Sequence, residues 1–185
     1  MLEQIISLDI QLFILLNNIF PNPFFDYIMP LLHHAKNWLI FIVLFWLYLC
    51  YTNKEFRWQL LILTPLIIIL CDQFGGFIKD FQLRNRPWVE LDANQFRHLV
   101  KQSGAGQSFP SNHALNISGI AFFFSKIMKP YRVYFWLFAT IIMFSRIYIG
   151  VHYPLDVLAG FIFGIIISKL TIIIWNQLSN EKYYI

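Results

Sequence analysis

Charge is what this sequence has least of. Asp, Glu, Lys and Arg make up 13% of it, about half the roughly 25% of an ordinary soluble domain. Hydrophobic residues make up 58%. A chain of 185 residues keeps too much of its volume near its surface to hide that much apolar side chain from water. A soluble globule is therefore excluded, and a bilayer takes up the excess. There is no basic run, and the net charge of +4 is spread out, which excludes a surface that tracks nucleic acid. Cysteine is nearly absent. Cys50 and Cys71 both lie in apolar runs, so they read as buried thiols, with a disulfide left open and too few ligands for a metal site. The N-terminus carries Glu3 and Asp9 where a cleavable signal peptide needs a basic region and an unbroken apolar run. Repeats and low-complexity tracts are missing, and the length has room for one domain, residues 1–185.

What remains is a series of apolar stretches. A helical span needs about 20 mostly apolar residues, and 57–79, 111–128, 132–149 and 153–177 each meet that need. A fifth stretch, 37–52, is short but flanked by Trp and Tyr, as at a membrane interface. Residues 4–20 are interrupted by Asp9, Gln11, Asn17 and Asn18, and read either as a short packed span or as an amphipathic helix lying in the interface. The next segment, PNPFFDYIMPLLHH, is too short to cross. The pattern predicts an all-α membrane bundle of five to six transmembrane helices. The turns with Lys54 and Arg57, and with Lys126, Lys129 and Arg132, are basic, as is the tail with Lys182. The positive-inside rule puts these in the cytoplasm. Residues 20–36, 80–110 and 149–153 then share the outer side, and most of the unusual polar residues with them.

Three clusters stand there. Lys79 closes a span, and Arg86 precedes Pro87. A lysine point charge and a planar arginine fork suit a multiply charged anion. Next, Phe109-Pro110-Ser111-Asn112-His113 opens a span. Ser111 is a good N-cap, and the free N–H groups of a first helical turn attract anions. Last comes Ser145-Arg146, followed by His152 and Asp156 around Pro154. A cation inside an apolar run marks a functional site by default, and Asp156, a turn beyond His152, can fix the imidazole's tautomer. Taken singly, each cluster also has an ordinary reading: snorkelling cations, a helix cap, a buried His–Asp pair.

Their conjunction is specific. Lys-x6-Arg-Pro, then Pro-Ser-x-His, then Ser-Arg-x5-His-x3-Asp, in that order and on one side, resembles the type-2 phosphatidic acid phosphatase (PAP2) family, which shares its phosphate pocket with vanadium haloperoxidases. The resemblance covers residues 79–156 by motif and most of the chain by span pattern. One position departs: Asn112 stands where the family usually has Gly. The resemblance implies a PAP2/haloperoxidase-like core and phosphate binding by Lys79, Arg86, Arg146, Ser111 and the backbone N–H groups of Asn112 and His113. It implies His152 as nucleophile, Asp156 as its orienting carboxylate and His113 as general acid and base. The reaction would be hydrolysis of a lipid phosphate or diphosphate without metal or cofactor. Phosphatidic acid, phosphatidylglycerophosphate, undecaprenyl diphosphate and lipid A phosphates stay open as substrates.

By analogy with small family members, the setting is a bacterial inner membrane with the site facing the periplasm or exterior; oligomeric state stays open. Trp88 and Phe96 are read as flanking a lateral lipid entry or as an interfacial belt. Arg84, Arg97 and Lys101 are read as a second-phosphate site or as solvated loop charges, Asp72 as facing the bundle, and residues 103–108 as a flexible flap. A haloperoxidase is disfavoured by the spans, because those family members are soluble and larger. The rival of another class is a non-catalytic lipid-binding or transport protein that kept the pocket.

Overall fold

A computed structural model of the chain describes residues 1–19, 21–33, 35–101 and 106–179. Part of the expected 103–108 flap, and Lys182, lie outside them. Within them the regular elements are helices: α1 (Leu2–Asn18), α2 (Pro23–Leu31), α3 (Leu39–Thr52), α4 (Arg57–Asp80), α5 (Pro87–Glu90), α6 (Asn112–Ile127), α7 (Arg132–Tyr148) and α8 (Pro154–Leu178).

Helix boundaries follow the punctuation of the sequence. Ser111 caps α6, with its Oγ accepting from the Ala114 N–H at 3.4 Å. Pro87 and Pro154 sit in the first turns of α5 and α8, where a missing N–H costs nothing. At the N-terminus of α8 the Asp156 carboxylate accepts the Tyr153 backbone N–H at 2.9 Å.

Helix α6 lies at the centre and packs on α8, α7 and α4. The α6–α8 crossing is close because α8 presents Gly160 and Gly164. A Cβ at Gly160 would lie 2.6 Å from the Ser111 carbonyl oxygen, and one at Gly164 would collide with the Leu115 carbonyl oxygen and Ser118 Oγ. Without Cβ atoms the backbones approach, as small residues allow between membrane helices. Gly164→Leu is expected to cost roughly 1–3 kcal/mol through overpacking. It should lower the melting temperature in detergent, whereas Gly76→Ala, with nothing within 4 Å of the new Cβ and a gain in helix propensity, should not lower it.

Two helices, Lys54–Asp80 and Pro154–Leu178, are each long and apolar enough to cross a bilayer, and α1 with α2, bent by 115°, would make a third if counted as one span. The others are shorter: α6 has 16 residues, α7 has 17 and α3 has 14. The boundaries expected for the five apolar stretches agree with the helices to within two residues.

Helix α1 has its own logic. Asp9, Phe13 and Asn17, spaced by four, form its buried face. The polar residues that interrupt the apolar run are thus the ones turned inward. Asn17 Nδ2 donates to the carbonyls of Tyr148 (2.9 Å), Ile147 and Arg97 (both 3.1 Å), and its Oδ1 accepts from the Arg97 N–H at 2.6 Å. One amide so ties α1 to the end of α7 and to the loop carrying Arg97. The Leu99 N–H also donates to the Ile149 carbonyl at 3.1 Å, and Tyr148 donates its hydroxyl to Asp26 of α2 at 2.5 Å. The described residues of the segments 21–33, 84–101, 106–111 and 146–153 therefore gather at one end of the bundle, the grouping expected from the basic turns.

Candidate active site

The C-terminus of α4, the N-termini of α6 and α8 and the end of α7 meet at that end. Lys79 reaches across to the start of α6, where its Nζ donates to the Pro110 carbonyl at 2.6 Å and to Asn112 Oδ1. Arg86 follows in a segment held by an antiparallel bridge: Arg86 N–H donates to Gly106 O at 2.7 Å and Ser108 N–H to Arg84 O at 2.8 Å. Its Nε donates to Gln107 O at 3.0 Å, and its guanidinium lies 4.8 Å over the Trp88 ring. Burial lowers the Arg86 pKa, and the Asp156 charge acts against that. The first motif is in this way stitched to the chain entering the second. The second is stitched to the third by the Ser111 N–H, which donates to the Asp156 carbonyl at 3.0 Å.

Arg146 is fully buried. Its Nε and Nη2 donate to Ser145 Oγ at 3.0 and 2.7 Å. His152 sits in the turn before α8, almost wholly buried. Its Nδ1 stands 3.5 Å from Asp156 Oδ2, within ion-pair range and longer than a good hydrogen bond. Burial drives the imidazole pKa down to about 4, with the neighbouring Arg86 and Lys79 charges adding to this and Asp156 opposing it. At neutral pH the ring is a free base. His113, in the first turn of α6, lies within electrostatic range of His152 and Arg146. All eight residues expected from the sequence therefore belong to one end of the bundle, in a connected set of contacts.

The structure adds a residue that the sequence reading passed over. His33, beyond α2, accepts from Arg146 Nη1 on its Nδ1 at 3.0 Å. Its carbonyl lies 3.1 Å from His113 Nε2, and the two rings stack with centroids 5.8 Å apart. A carbonyl only accepts, so Nε2 of His113 carries the proton and Nδ1 is its basic nitrogen. The available signal was a histidine pair on the outer side of a Pro-bracketed segment.

Other expectations are corrected. Asp72 turns toward α6, where the Asn112 and Asn116 amides donate to its Oδ1 at 3.3 and 2.9 Å, but it stays exposed. Arg84 is not a solvated charge, nor open to a second phosphate. Its side chain is only 14% exposed and pairs with Asp9 at 2.5 Å and Asp156 at 3.5 Å. Arg97 pairs with Asp26. Lys101 is exposed. Phe96 is buried against Phe13, and with Trp88, Leu91, Ala93 and His98 it lines a cavity of about 260 Å³ that none of the eight residues touches. The departure at Asn112 also has a physical account. A Cβ on Gly75 would lie 2.5 Å from Asn112 Oδ1, so a glycine on α4 makes room for the side chain that holds Lys79. Among the described residues, no three His, Cys, Asp or Glu side chains gather as a metal site would require.

Comparison with known proteins fits this geometry. The family model described as the PAP2 superfamily matches residues 60–180. The lipid A 4'-phosphatase of Porphyromonas gingivalis is 30% identical over 173 residues, covering 90% of this chain and 72% of the relative. That of Bacteroides thetaiotaomicron is 30% identical over 178 residues, 89% of this chain and 75% of the relative. The crystal structure of LpxE from Aquifex aeolicus superposes with a TM-score of 0.72 at 26% identity, covering 89% of this chain and 94% of that one.

Proposed function

The chain belongs to the PAP2 superfamily, and from that premise we propose that it hydrolyses the phosphate monoester of an aminosugar lipid of the lipid A class through a phosphohistidine on His152. The observation that carries the reading is the meeting of Lys79, Arg86 and Arg146 around two histidines held by different partners. The likeness to two lipid A 4'-phosphatases supports the substrate class.

The three cations, with Ser111 and the first N–H groups of α6, hold the phosphoryl oxygens and stabilise their charge in the transition state. Asp156 faces Nδ1 of His152, so Nε2 attacks. The P–Nε2 bond forms as the bond from phosphorus to the lipid oxygen breaks, and His113, which takes up a second proton on Nδ1 when the phosphate dianion binds beside it, gives that oxygen the Nδ1 proton. Asp156 stabilises the resulting cationic ring. His113, now neutral, takes a proton from water; the hydroxide attacks phosphorus, the P–N bond breaks, and inorganic phosphate leaves with His152 restored. Two imidazoles in unlike surroundings can take opposite proton roles.

In this proposal residues 1–185 form one membrane-embedded domain crossed by α3, α4, α6, α7 and α8. The short helices α3, α6 and α7 are accommodated by local bilayer thinning and interfacial flanks. The site opens at the outer face of the cell membrane, where a headgroup waits while its acyl chains stay in the bilayer.

A substrate panel on the protein purified in detergent tests this. Phosphate release from lipid A 4'-phosphate is expected to exceed that from phosphatidic acid and undecaprenyl diphosphate, with His152→Ala as the blank. Vanadate, which mimics pentacoordinate phosphorus, is expected to inhibit, and EDTA to leave the rate unchanged. Tight binding of the lipid without phosphate release would instead favour a carrier that kept the pocket, and strict Mg²⁺ dependence would overturn the metal-free scheme.

A further inference from the structure

The three side chains Asp9, Arg84 and Asp156 form a buried chain that leads from the first helix to the ring of His152. Asp9 is 3%, Arg84 14% and Asp156 0% exposed at the side chain. Arg84 Nη1 donates to Asp9 Oδ2 at 2.5 Å and stands 3.5 Å from Asp156 Oδ1. Its guanidinium lies 3.7 Å over the ring of Tyr153, which fixes its plane. Asp9 is anchored at its other oxygen, where Oδ1 accepts the Leu155 N–H at 3.0 Å in the first turn of α8. Asp156 uses Oδ2 for the Tyr153 N–H and for His152.

One guanidinium is thus shared between two carboxylates, and the nearer one is Asp9. We infer that Asp9 and Arg84 are positioning residues of the reaction: by dividing the Arg84 charge, Asp9 sets how much negative charge Asp156 presents to His152. The inference rests on the reading of His152 as nucleophile. It makes α1, which lies outside the region matched by the family model, part of the reaction machinery.

A buried carboxylate with no cation would hold a proton on His152 and leave it unable to attack. A carboxylate fully paired with Arg84 would turn away from the ring and fail to stabilise the cationic phosphohistidine. The division between these extremes needs a competing anion at fixed distance, and Asp9 supplies it. The other charged and titratable groups around the pair are Lys79 on α4, Arg86 in the segment before α5, Glu90 on α5 (which accepts from the Tyr153 hydroxyl at 3.4 Å), His113 on α6 and Arg146 on α7. The substitutions below leave all of them in place, and the substrate's own ionisation is common to every variant.

The experiment measures kcat, KM and the acid limb of kcat/KM for Arg84→Gln, Asp9→Asn and Arg84→Lys, with the vanadate inhibition constant as a check on the pocket. Arg84→Gln leaves Asp156 uncompensated, so His152 holds its proton to higher pH. The acid limb is expected to move up by about one pH unit, and kcat to fall on the order of 10- to 100-fold, the size seen for outer-shell partners that orient histidine ligands. Asp9→Asn gives all of Arg84 to Asp156. Its limb is expected to hold or move down while kcat falls. Arg84→Lys, which keeps the charge and guards against a misfolded Gln variant, should keep the wild-type limb. KM and vanadate affinity should stay within about threefold throughout. Limbs that move the same way in Arg84→Gln and Asp9→Asn, or that do not move at all, overturn the inference, as does a loss confined to KM. A wild-type protein that releases no phosphate from any lipid overturns the proposed function instead, so the two failures are distinct.

Discussion

His152→Ala is expected to lower phosphate release on the order of 10⁴-fold or more, the scale on which loss of a nucleophile acts in enzymes that form covalent intermediates. Among the described residues, the neighbouring basic side chains are otherwise engaged. Lys79 is committed to the Pro110 carbonyl and Asn112, and His113 donates from Nε2 to the His33 carbonyl. His152 is also suited by its state. Burial holds its pKa near 4, so the ring stays unprotonated, as the proposed attack requires, across the range where a phosphate monoester is dianionic. The sign follows directly: the depressed pKa removes any loss of free base until pH falls well below the ordinary histidine value of about 6.5. Rapid acid-free quenching of the wild-type protein with radiolabelled substrate should trap label on the chain, and the same experiment with His152→Ala should trap none. Retained label in the alanine variant, or turnover within tenfold of wild type, would remove His152 from the role of nucleophile.

The eight motif residues were legible because each stands at a helix end beside a proline or within an apolar run, where charge and punctuation are conspicuous in one dimension. Lys79, Arg86, Ser111, His113, Arg146, His152 and Asp156 needed only the alternation of spans to be brought to one face. What stayed hidden was the shell around them. Asp9 and Asn17 looked like defects in an apolar helix, although their spacing of four with Phe13 already marked one face. Their inward direction depends on α7 and α8 offering Leu155, Ile147 and Tyr148 as partners, which no local pattern encodes. Arg84 looked like a loop charge because its two carboxylates come from positions 75 and 72 residues away in the sequence. His33 was hidden for the same reason, since its contacts with Arg146 and His113 span 113 and 80 residues. Asp72 turns to α6 as its place in a span suggests, and Asn112 and Asn116 satisfy it there while it stays exposed.

His113→Ala is expected to separate the two halves of the reaction. Proton transfer by a placed side chain is worth roughly 10²–10⁴-fold, and a lipid alkoxide or sugar oxygen needs that proton to leave. With the lipid substrate, the first step should therefore slow by that factor and little phosphohistidine should accumulate. A phosphate ester of an acidic phenol, such as p-nitrophenyl phosphate, can leave as the anion without help. With that substrate the variant should form the phosphohistidine at close to the wild-type rate and then stall, because the base that activates water is missing. The expected trace is a burst of about one nitrophenolate per site followed by slow turnover, with label accumulating on His152. The contacts of His33 sharpen the assignment. Because its carbonyl holds the proton on Nε2 of His113, the working nitrogen is Nδ1, and His113→Gln, which can keep the bond to the carbonyl but cannot exchange a proton, should behave like the alanine. An equal loss on both substrates with no burst would make His113 a pocket wall and move the general acid elsewhere. A glutamine variant with wild-type turnover would do the same.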